Sequence, residues 1–531
     1  MKYPLYSIIS FLLISLHFLL APVAARENSL LVNQLSDDPS AWEPMSSTSE
    51  SMIAETDSFS AYLFAYFTGN GYREEAIRFA MSHDGFNYRA VNKNQPIISS
   101  AAISINGGVR DPHILRGADG YFYMVVTDLQ VAVNGWNDNQ AMVFLRSDDL
   151  VNWTHSVVNI AEMFPHMASV TRCWAPQTIY DEEEGKYMVY WSMLFEDDRG
   201  TDAHYDKIYY AYADEDFTTL ITEPQQLYFP PNESACIDGD IIFHDGKYHL
   251  FHKTEGSGKG IKKAVSDQLT GGYELYDRYL DQTDAAVEGS SVFRIINSDR
   301  FILMYDMYTS GSYQFTESTD LMNFSVVDEQ VSMNFTPRHG TVIPITDSEA
   351  RRIATRWCDI DDVVVYDVAG TGIKVNKVVI DNATQKITVP VGFLINISAF
   401  DPMLVALPGT TISPKGPVDF SKGPVNYTIS LEGVGEKVYE VTVQGGTTGN
   451  NKSTTARHIE VFPNPAASQL NINVSGMQIN KLEMTDVDGR VVLQQYFNGP
   501  HSLQLSLDGI QPGMYLLRIN DELTRRISIK N

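Results

Sequence analysis

Ala118-Asp-Gly-Tyr-Phe-Tyr-Met-Val is a polar turn followed by a run of aromatic and aliphatic residues, and related stretches recur along the chain. The other copies are Glu184-Gly-Lys-Tyr-Met-Val-Tyr, His244-Asp-Gly-Lys-Tyr-His-Leu-Phe and Ser298-Asp-Arg-Phe-Ile-Leu-Met. Each copy predicts a tight turn that leads into a buried strand. Because the unit is repeated, it predicts the architecture more securely than any single element does.

A second element recurs between these copies and predicts a polar turn before an outer strand. Its copies are Ser82-His-Asp-Gly-Phe-Asn-Tyr, Ser147-Asp-Asp-Leu-Val-Asn-Trp, Ser266-Asp-Gln-Leu-Thr-Gly-Gly-Tyr and Ser318-Thr-Asp-Leu-Met-Asn-Phe. The repeating unit is about 50 to 65 residues long and has almost no helical periodicity. Short strands at this regular spacing are typical of propeller blades, so we predict an all-β chain that begins with a five-bladed β-propeller.

The fifth blade is predicted to combine both ends of the propeller. Residues 338–345 offer one strand, and residues 61–67 and 76–82 supply its partners. Pairing of the first and last strands would close the ring without a covalent link. A helix from Thr346 to Trp357, with Thr346 as its N-cap, is expected to end the domain, which we assign to residues 56–358.

The strand expected nearest the propeller axis is where the blades differ. These strands begin Arg110-Asp-Pro-His-Ile-Leu, Trp174-Ala-Pro-Gln-Thr-Ile, Ile237-Asp-Gly-Asp-Ile-Ile, Val287-Glu-Gly-Ser-Ser-Val and Arg338-His-Gly-Thr-Val-Ile. One variable position precedes a Pro or Gly in every blade. It is occupied in turn by Asp111, Ala175, Asp238, Glu288 and His339. Equivalent positions in a ring face one cavity, so three carboxyl groups and an imidazole are expected to meet there.

Carboxyl groups that share a cavity repel one another and lose hydration, which favours a functional reason for keeping them. Glycoside hydrolysis uses such groups, because one acid protonates the leaving oxygen while a second activates water or attacks the sugar. A third carboxylate nearby would raise the pKa of the acid. Each acid alone would be an ordinary turn residue, and Asp240 is an alternative to Asp238.

Other side chains near these positions are candidates for contact with a sugar. Trp174 begins the inner strand of the second blade and could form a platform under a sugar ring or pack in the core. Arg110 and Arg338 flank the acids and could pair with them or with sugar hydroxyls. Trp136 lies in a polar loop, where it is expected to shape the rim of the pocket.

These residues carry a resemblance to glycoside hydrolase family 43 over roughly residues 56–350. The matching motifs are Asp-Pro in the first blade, Ile-Asp before a short strand in the third and Glu-Gly in the fourth. The resemblance implies that Asp111 is the general base, Glu288 the general acid and Asp238 the residue that tunes and orients that acid. It also implies inversion of the anomeric carbon, which requires about 6.5–9.5 Å between the carboxyl groups of base and acid.

The resemblance further implies a cation or a water molecule on the axis, held by a histidine that corresponds to His339. Calcium is the favoured ion if the other ligands are waters, and an imidazole bonded in the channel without metal is the alternative. No cofactor is expected to be required for the chemistry. The strands that precede the Asp-Pro motif are a departure from many members of the family.

The charge and the amino terminus bear on partners and location. The 531 residues include 39 Lys and Arg against 66 Asp and Glu, for a net charge of −27, so nucleic acid is not an expected partner. Residues 1–25 resemble a signal peptide and residues 26–55 a linker, and no retained membrane anchor is expected.

Three cysteines exclude a disulfide framework, although Cys173 and Cys236 occupy equivalent repeat positions and could be bridged or free.

Two further β-domains are predicted beyond the propeller. Alternating strands with Pro and Gly turns in residues 359–444 predict a β-sandwich similar to bacterial immunoglobulin-like modules. Residues 445–456 form a polar linker. Residues 457–531 resemble the type A sorting domain of type IX secretion, on the motifs Val461-Phe-Pro-Asn-Pro, Asp486-Val-Asp-Gly-Arg and Gly513-Met-Tyr-Leu-Leu-Arg-Ile.

The sequence therefore predicts a glycosidase that reaches the cell surface or the medium through the periplasm, with the type IX machinery and a carbohydrate as its partners. The resemblance implies an α-L-arabinofuranosidase or a β-xylosidase acting on side chains or termini of plant-type polysaccharides. An exo-β-galactanase of the same family is an alternative. A non-catalytic propeller that binds surface glycans is the alternative from another class of protein.

Overall fold

The computed structural model describes residues 58–196, 205–231, 234–255, 260–374, 377–447, 458–475, 478–486, 489–520 and 523–530. The predicted signal peptide and the linker that follows it lie outside these residues. No helix in the described ranges is long and apolar enough to span a membrane.

Five sheets form the propeller, and each is built from short strands that pair mainly with their sequence neighbours. The sheet that closes the ring contains β1 (Phe59–Phe67), β2 (Arg78–Ser82), β3 (Asn87–Ala90), β20 (Ser332–Met333) and β21 (Arg338–Thr346). Blade 1 contains β4 (Val109–Arg116), β5 (Phe122–Asp128), β6 (Ala141–Ser147) and β7 (Thr154–Asn159). Blade 2 contains β8 (Val170–Asp181), β9 (Lys186–Phe195), β10 (Lys207–Tyr212) and β11 (Gln225–Tyr228). Blade 3 contains β12 (Cys236–His244), β13 (Lys247–Thr254), β14 (Gly260–Ser266) and β15 (Glu274–Tyr276), and blade 4 contains β16 (Glu288–Arg294), β17 (Phe301–Met307), β18 (Ser312–Ser318) and β19 (Ser325–Val326).

The innermost strands form a closed circuit around the axis. β4 contacts β8, β8 contacts β12, β12 contacts β16, β16 contacts β21, and β21 returns to β4. β21 pairs antiparallel with β1, with Leu63 opposite Ile343 and Phe64 opposite Val342. The prediction of five blades, closed by a fifth blade built from both ends of the propeller, is confirmed.

The second repeated element is the same hydrogen-bonded turn in three blades. In blade 1 the Oδ1 atom of Asp149 accepts the backbone N–H groups of Val151 and Asn152 at 2.8 and 2.7 Å, and its Oδ2 atom accepts the Asn152 amide at 2.7 Å. The equivalent turns are built on Asp84 and Asp320. The recurring Ser-x-Asp pattern is thus explained by the backbone groups that the carboxylate satisfies.

Four α-helices occur in the described ranges. They are α1 (Ser100–Ile103), α2 (Val131–Asn134), α3 (Ile160–Met163) and α4 (Asp347–Trp357). α4 follows the last propeller strand, and its N-terminus is a capping box in which the Thr346 hydroxyl accepts the Glu349 N–H while the Glu349 carboxylate accepts the Thr346 N–H. The predicted helix and its N-cap are confirmed.

The residues after α4 form a β-sandwich module of two sheets. One sheet pairs β22 (Val365–Val368) with β25 (Leu404–Ala406). The other contains β23 (Val379–Asp381), β24 (Lys386–Asn396), β26 (Thr411–Ser413), β27 (Val425–Leu431) and β28 (Gly435–Thr447). β28 continues through residues 445–447, which we predicted as linker, because Gly445 and Thr447 still pair with β24.

The carboxyl-terminal domain also has two sheets and a core of its own. Its strands are β29 (His458–Phe462), β30 (Gln469–Ser475), β31 (Lys481–Thr485), β32 (Val491–Tyr496), β33 (Ser502–Ser506), β34 (Gly513–Ile519) and β35 (Leu523–Ile529).

One apolar core runs from the propeller into the sandwich module. Phe79 and Ile343 of the closing blade, Ile353 of α4, and Val365 and Tyr427 of the sandwich belong to the same buried cluster. The predicted boundary at residue 358 therefore passes through a continuous core. The three cysteines are buried and free, so Cys173 and Cys236 are not bridged.

Candidate active site

Every innermost strand has a β-bulge where the sequence predicts a site residue. In blades 1 to 4 the register shifts lie between Arg110 and His113, Trp174 and Gln177, Ile237 and Asp240, and Glu288 and Ser291. In the closing blade the shift lies between Arg338 and Thr341, which are opposite Phe67 and Ala65. A bulge removes one residue from the hydrogen-bonded ladder and redirects its side chain. The Pro or Gly in each motif fits this position, because proline cannot donate to the ladder and glycine adopts unusual backbone angles.

The backbone at three of these positions is left-handed. The φ angles are +54° at Asp111, +46° at Ala175 and +55° at Asp238, and in blade 4 the following residue, Gly289, has φ +61°. Such angles cost on the order of 1–3 kcal/mol at a non-glycine residue and persist where a functional geometry needs them. A Cβ atom on Gly289 would lie 2.5 Å from Cγ of His339, so this glycine is required for the close approach of the imidazole.

The bulged residues line one pocket at the propeller axis, with a cavity volume of about 50 Å³. The residues that line it are Arg110, Asp111, Leu129, Trp136, Trp174, Ile237, Asp238, Glu288 and His339. The structure thus brings Asp111, Asp238, Glu288 and His339 together from four blades.

Asp111 is buried between a cation and a hydroxyl group. Its Oδ2 atom accepts the Thr127 hydroxyl at 2.8 Å and lies 3.6 Å from Nε of Arg110, and its Oδ1 atom lies 3.5 Å from Nδ1 of His339. Burial alone would raise the pKa of Asp111, but Arg110 and His339 outweigh it and lower that pKa to about 2. Asp111 is therefore a carboxylate at any ordinary pH.

Asp238 and His339 are more buried than Asp111 and Glu288. The Oδ2 atom of Asp238 accepts the N–H of Gly289 at 2.9 Å, and its Oδ1 atom lies 4.0 Å from Nδ1 of His339. Burial raises the pKa of Asp238 to about 6. Burial lowers the pKa of His339, but the Asp238 and Asp111 carboxylates raise it to about 9, which makes the ring a cation near neutral pH.

Glu288 is the acid that is most open to solvent, with 21% of its side chain exposed. Its Oε1 atom lies 2.7 Å from the Arg338 guanidinium and its Oε2 atom 3.2 Å from Nζ of Lys253. Arg338 also binds the fully buried carboxylate of Asp306, and Lys253 lies 2.9 Å from Glu255. The Glu288 carboxyl is thus held from two sides.

Several residues that support the acids were missed by the sequence prediction. Thr127, Ser192 and Lys253 occupy equivalent positions on the second strands of blades 1, 2 and 3. Thr127 also accepts the N–H of Ala175, and the Ser192 hydroxyl accepts the N–H of Asp238, so each side chain reaches the next blade. A signal was present for Asp306, which is the only charged residue in the strand Phe301–Met307.

The alternative carboxylate, Asp240, does not line the pocket. It is buried, and its Oδ2 atom accepts the N–H of Val292 at 2.6 Å, which joins blade 3 to blade 4. Burial raises the pKa of Asp240 to about 7.

The residues that were predicted to contact a sugar do not all line the pocket. Trp174 and Trp136 both line the pocket, with ring centroids 6.1 Å apart, and the Arg172 guanidinium lies 4.3 Å from the Trp174 ring. Arg110 lines the pocket between the Phe67 and Trp136 rings. Arg338 is not among the lining residues, because its guanidinium is directed to Glu288 and Asp306 behind the pocket wall.

His339 does not form a metal site with the side chains around it. No group of three or more His, Cys, Asp or Glu side chains in the described ranges is arranged to hold a metal ion. The Nδ1 atom of His339 faces two carboxylate oxygens, toward which a protonated ring donates rather than accepts. The residues present fit an imidazolium that orients the acids.

Five blades around an axial pocket of three carboxyl groups define a β-propeller with the groups that glycoside hydrolysis requires. The chain belongs to the family described as a probable glycosyl hydrolase domain, which is related to glycoside hydrolase family 43 and matches residues 57–351. Two further family models match other parts: "SGBP, N-terminal" matches residues 370–443, and the secretion system C-terminal sorting domain matches residues 460–530. The sorting domain assigns the protein to the cell surface or the medium.

One curated relative is similar to part of the chain. An α-L-arabinofuranosidase of Bifidobacterium longum subsp. longum is 28% identical over 227 residues, which are 39% of this chain and 20% of that protein. The chain thus covers about a fifth of the length of this curated relative.

Solved structures give a similar result. An exo-1,5-α-L-arabinanase from a bovine ruminal metagenomic library is 16% identical over 50% of this chain and 93% of its own, with a TM-score of 0.37. An α-L-arabinofuranosidase from Clostridium thermocellum is 12% identical over 50% of this chain and 90% of its own, with a TM-score of 0.38. Because these TM-scores are low, the propeller assignment rests on the strand pairing described above.

Proposed function

We propose that the chain is an exo-acting glycosidase that releases arabinofuranose from side chains or termini of plant-type polysaccharides, with inversion of the anomeric carbon. The observation that carries the proposal is the convergence of Asp111, Asp238 and Glu288 in one pocket. The arabinofuranosidase that is similar to the propeller supports arabinofuranose as the sugar. Xylose and galactose are the alternatives to be compared with it.

In the proposed reaction a water molecule attacks the anomeric carbon while the bond to the leaving oxygen breaks. Asp111 takes a proton from that water, for which its ionised state is suited. Glu288 gives a proton to the leaving oxygen, and its partial exposure at the pocket mouth allows it to reach a bond that remains outside. Each step conserves charge, since one carboxyl gains the proton that the other loses.

Asp238 is proposed to orient the acid through the backbone. It accepts the N–H of Gly289, the residue next to Glu288, so its carboxylate fixes the backbone from which the acid projects. His339 donates toward both Asp238 and Asp111 and keeps these like charges close together. These two residues act on the acid and the base rather than on the sugar.

The size and walls of the pocket support action at chain ends. A cavity volume of about 50 Å³ is small, since one bound water needs about 10–15 Å³ on this measure, so the pocket suits one terminal sugar unit and not a long segment of polymer. Trp136 and Trp174 supply apolar faces for the rings.

The proposal is tested with a panel of 4-nitrophenyl α-L-arabinofuranoside, β-D-xyloside and β-D-galactoside. We expect the arabinofuranoside to be cleaved with the highest kcat/KM. Proton NMR during the first minutes should show the β anomer of arabinose from the α-linked substrate. Appearance of the α anomer first would contradict inversion, and cleavage of none of the three would favour the non-catalytic glycan-binding propeller.

We further propose that His339 acts without a metal ion. Dialysis against EDTA should then leave kcat unchanged, and metal analysis of the purified protein should find no stoichiometric calcium. Loss of activity that added calcium restores would instead support an axial calcium held through water.

A further inference from the structure

Three exposed apolar side chains lie on loops that open on the same face as the pocket. Asp111 is near the start of β4, so the loops that precede β4 and follow β1 and β5 all lie at the pocket end of their blades. Their apolar residues are Tyr72, Ile105 and Val133, which are 77%, 61% and 72% exposed. We call these three side chains the rim patch.

Hydrogen bonds tie the three loops together. Glu75 is buried near Tyr72 in the chain. Both oxygens of its carboxylate accept the N–H of Val131 at 3.0 Å. The buried Asp128 carboxylate accepts the N–H groups of Ile105 and Asn106 at 2.7 and 2.9 Å. The Asn134 amide donates to Asn106 Oδ1 at 3.1 Å, which joins the loop of Val133 to that of Ile105.

Arg110 joins the loop of Tyr72 to the wall of the pocket. Its guanidinium donates to Asn70 in the loop of Tyr72 at 2.9 Å and to Glu75 at 3.1 Å. The same guanidinium lies 4.9 Å from the ring centroid of Trp136, which lines the pocket and follows Val133 in its loop.

The construction of these loops points to a ligand. Burial of the Glu75 and Asp128 carboxylates is unfavourable unless hydrogen bonds compensate for the lost hydration. Here most of the donors are backbone N–H groups of the loops that carry the exposed apolar side chains. Loops held in this way lose little conformational entropy when a ligand binds. Exposed apolar side chains beside a pocket are typical of interaction surfaces.

We infer that the rim patch binds the neutral polysaccharide chain from which the sugar in the pocket projects. This inference rests on the proposed function. The pocket is small, so the rest of a polymeric substrate must lie outside it, and the apolar faces of sugar rings pack on aromatic and aliphatic side chains. The sorting domain places the protein outside the cell, where polymers are encountered.

The test compares a rim variant with a matched control on the opposite face. The rim variant combines Tyr72→Ser, Ile105→Ser and Val133→Ser and leaves Trp136 in place. The control combines Tyr180→Ser, Ile221→Ser and Met322→Ser, which are exposed residues in or next to turns at the far ends of blades 2 and 4. KM and kcat/KM are measured for the full chain on 4-nitrophenyl α-L-arabinofuranoside and on soluble arabinan and arabinoxylan, with binding to arabinan measured by affinity electrophoresis.

We expect the rim variant to show a KM for at least one polymer that is about five- to ten-fold higher, and an unchanged kcat/KM on the aryl glycoside. The control should match the wild type on every substrate. A rim variant with wild-type KM and wild-type binding on the polymers would overturn the inference, as would a change in self-association alone by sedimentation. If the wild type cleaves no aryl glycoside, the proposed function fails, and the electrophoresis still decides whether the patch binds the polymer.

Discussion

Lys253 lies outside the predicted site and pairs directly with Glu288, the proposed general acid. Its ammonium is buried, 3.2 Å from Glu288 and 2.9 Å from Glu255, and it lies 4.9 Å from the Tyr308 ring centroid. The opposing carboxylates hold the pKa of Lys253 above its usual range although burial lowers it. We regard it as a positioning residue for the acid.

Lys253→Met should therefore lower kcat by about 10- to 100-fold and shift its pH profile, because Glu288 loses one of its two cationic contacts. Lys253→Arg should restore part of both. Lys247→Met, which removes an exposed lysine of the same strand, is the control and should behave as the wild type. A pH profile for Lys253→Met that is superimposable on that of the wild type would show that Lys253 has only a structural role.

Asp240 gives a prediction for stability. Its pKa in the folded protein is about 7, above the ordinary value of 3.8, so between these values the native state holds the proton more tightly than the unfolded chain. The free energy of unfolding contributed by this group therefore falls as pH rises from about 4 to 7. Asp240→Asn keeps an acceptor for Val292 and removes the titration.

Urea unfolding at several pH values tests whether the contribution of Asp240 to the free energy of unfolding falls as pH rises. The stability of Asp240→Asn relative to the wild type should increase between pH 4 and 7, by on the order of 3 kcal/mol. A constant difference across this range would mean that Asp240 titrates in the folded protein as it does in the unfolded chain.

The acids could be predicted from sequence because each lies beside a Pro or Gly at one position of a repeat. Lys253 and Asp306 could not be identified in the same way, since their partner Glu288 belongs to another strand and, for Lys253, to another blade. The sequence also did not predict the role of Arg338. Its position next to His339 suggests a pocket residue, but its guanidinium binds Glu288 and Asp306 and Arg338 does not line the pocket.

At the scale of the element, the repeated polar turn is the feature that the sequence predicts most completely. The Ser-x-Asp pattern gives the turn its position, and the hydrogen bonds of Asp149 explain the choice of residues. The β-bulges were not predicted, although the Pro or Gly that follows each site position is a residue type that marks a bulge.

Asp149→Ala should lower the free energy of unfolding by about 1 kcal/mol, because two backbone N–H groups and one side-chain amide lose their acceptor. Thermal unfolding followed by circular dichroism measures the effect. The control is Asp148→Ala, which changes an exposed residue of the same turn. Equal stabilities for the two variants would show that the turn does not depend on the Asp149 carboxylate.

At the scale of the molecule, the propeller is not independent of the sandwich module. Besides the shared core, the Arg89 guanidinium lies 4.3 Å from the Tyr366 ring centroid, and the His83 ring lies 3.1 Å from the Ala406 carbonyl oxygen. The sequence predicts a boundary at residue 358 because the strand pattern changes there. Pattern alone does not show whether two domains bury each other's apolar surface.

Truncation after residue 447 should preserve the melting temperature and the activity of the propeller, because the sorting domain has a separate core. Truncation after residue 358 should lower the melting temperature by several degrees or prevent soluble expression, because it exposes Phe79 and other residues of the shared core. Differential scanning calorimetry distinguishes the two. A propeller that ends at residue 358 and melts as the longer chain does would contradict a shared core.

The proposed glycosidase activity requires that three acids distant in sequence act as one catalytic unit. The most direct test is kcat on 4-nitrophenyl α-L-arabinofuranoside for Asp111→Asn, Glu288→Gln and the double variant, with folding checked by near-ultraviolet circular dichroism. We predict that each single variant loses at least about 10³-fold and that the double variant loses little more, because groups that act together are not additive. A folded Asp111→Asn or Glu288→Gln protein with near wild-type kcat would contradict the account.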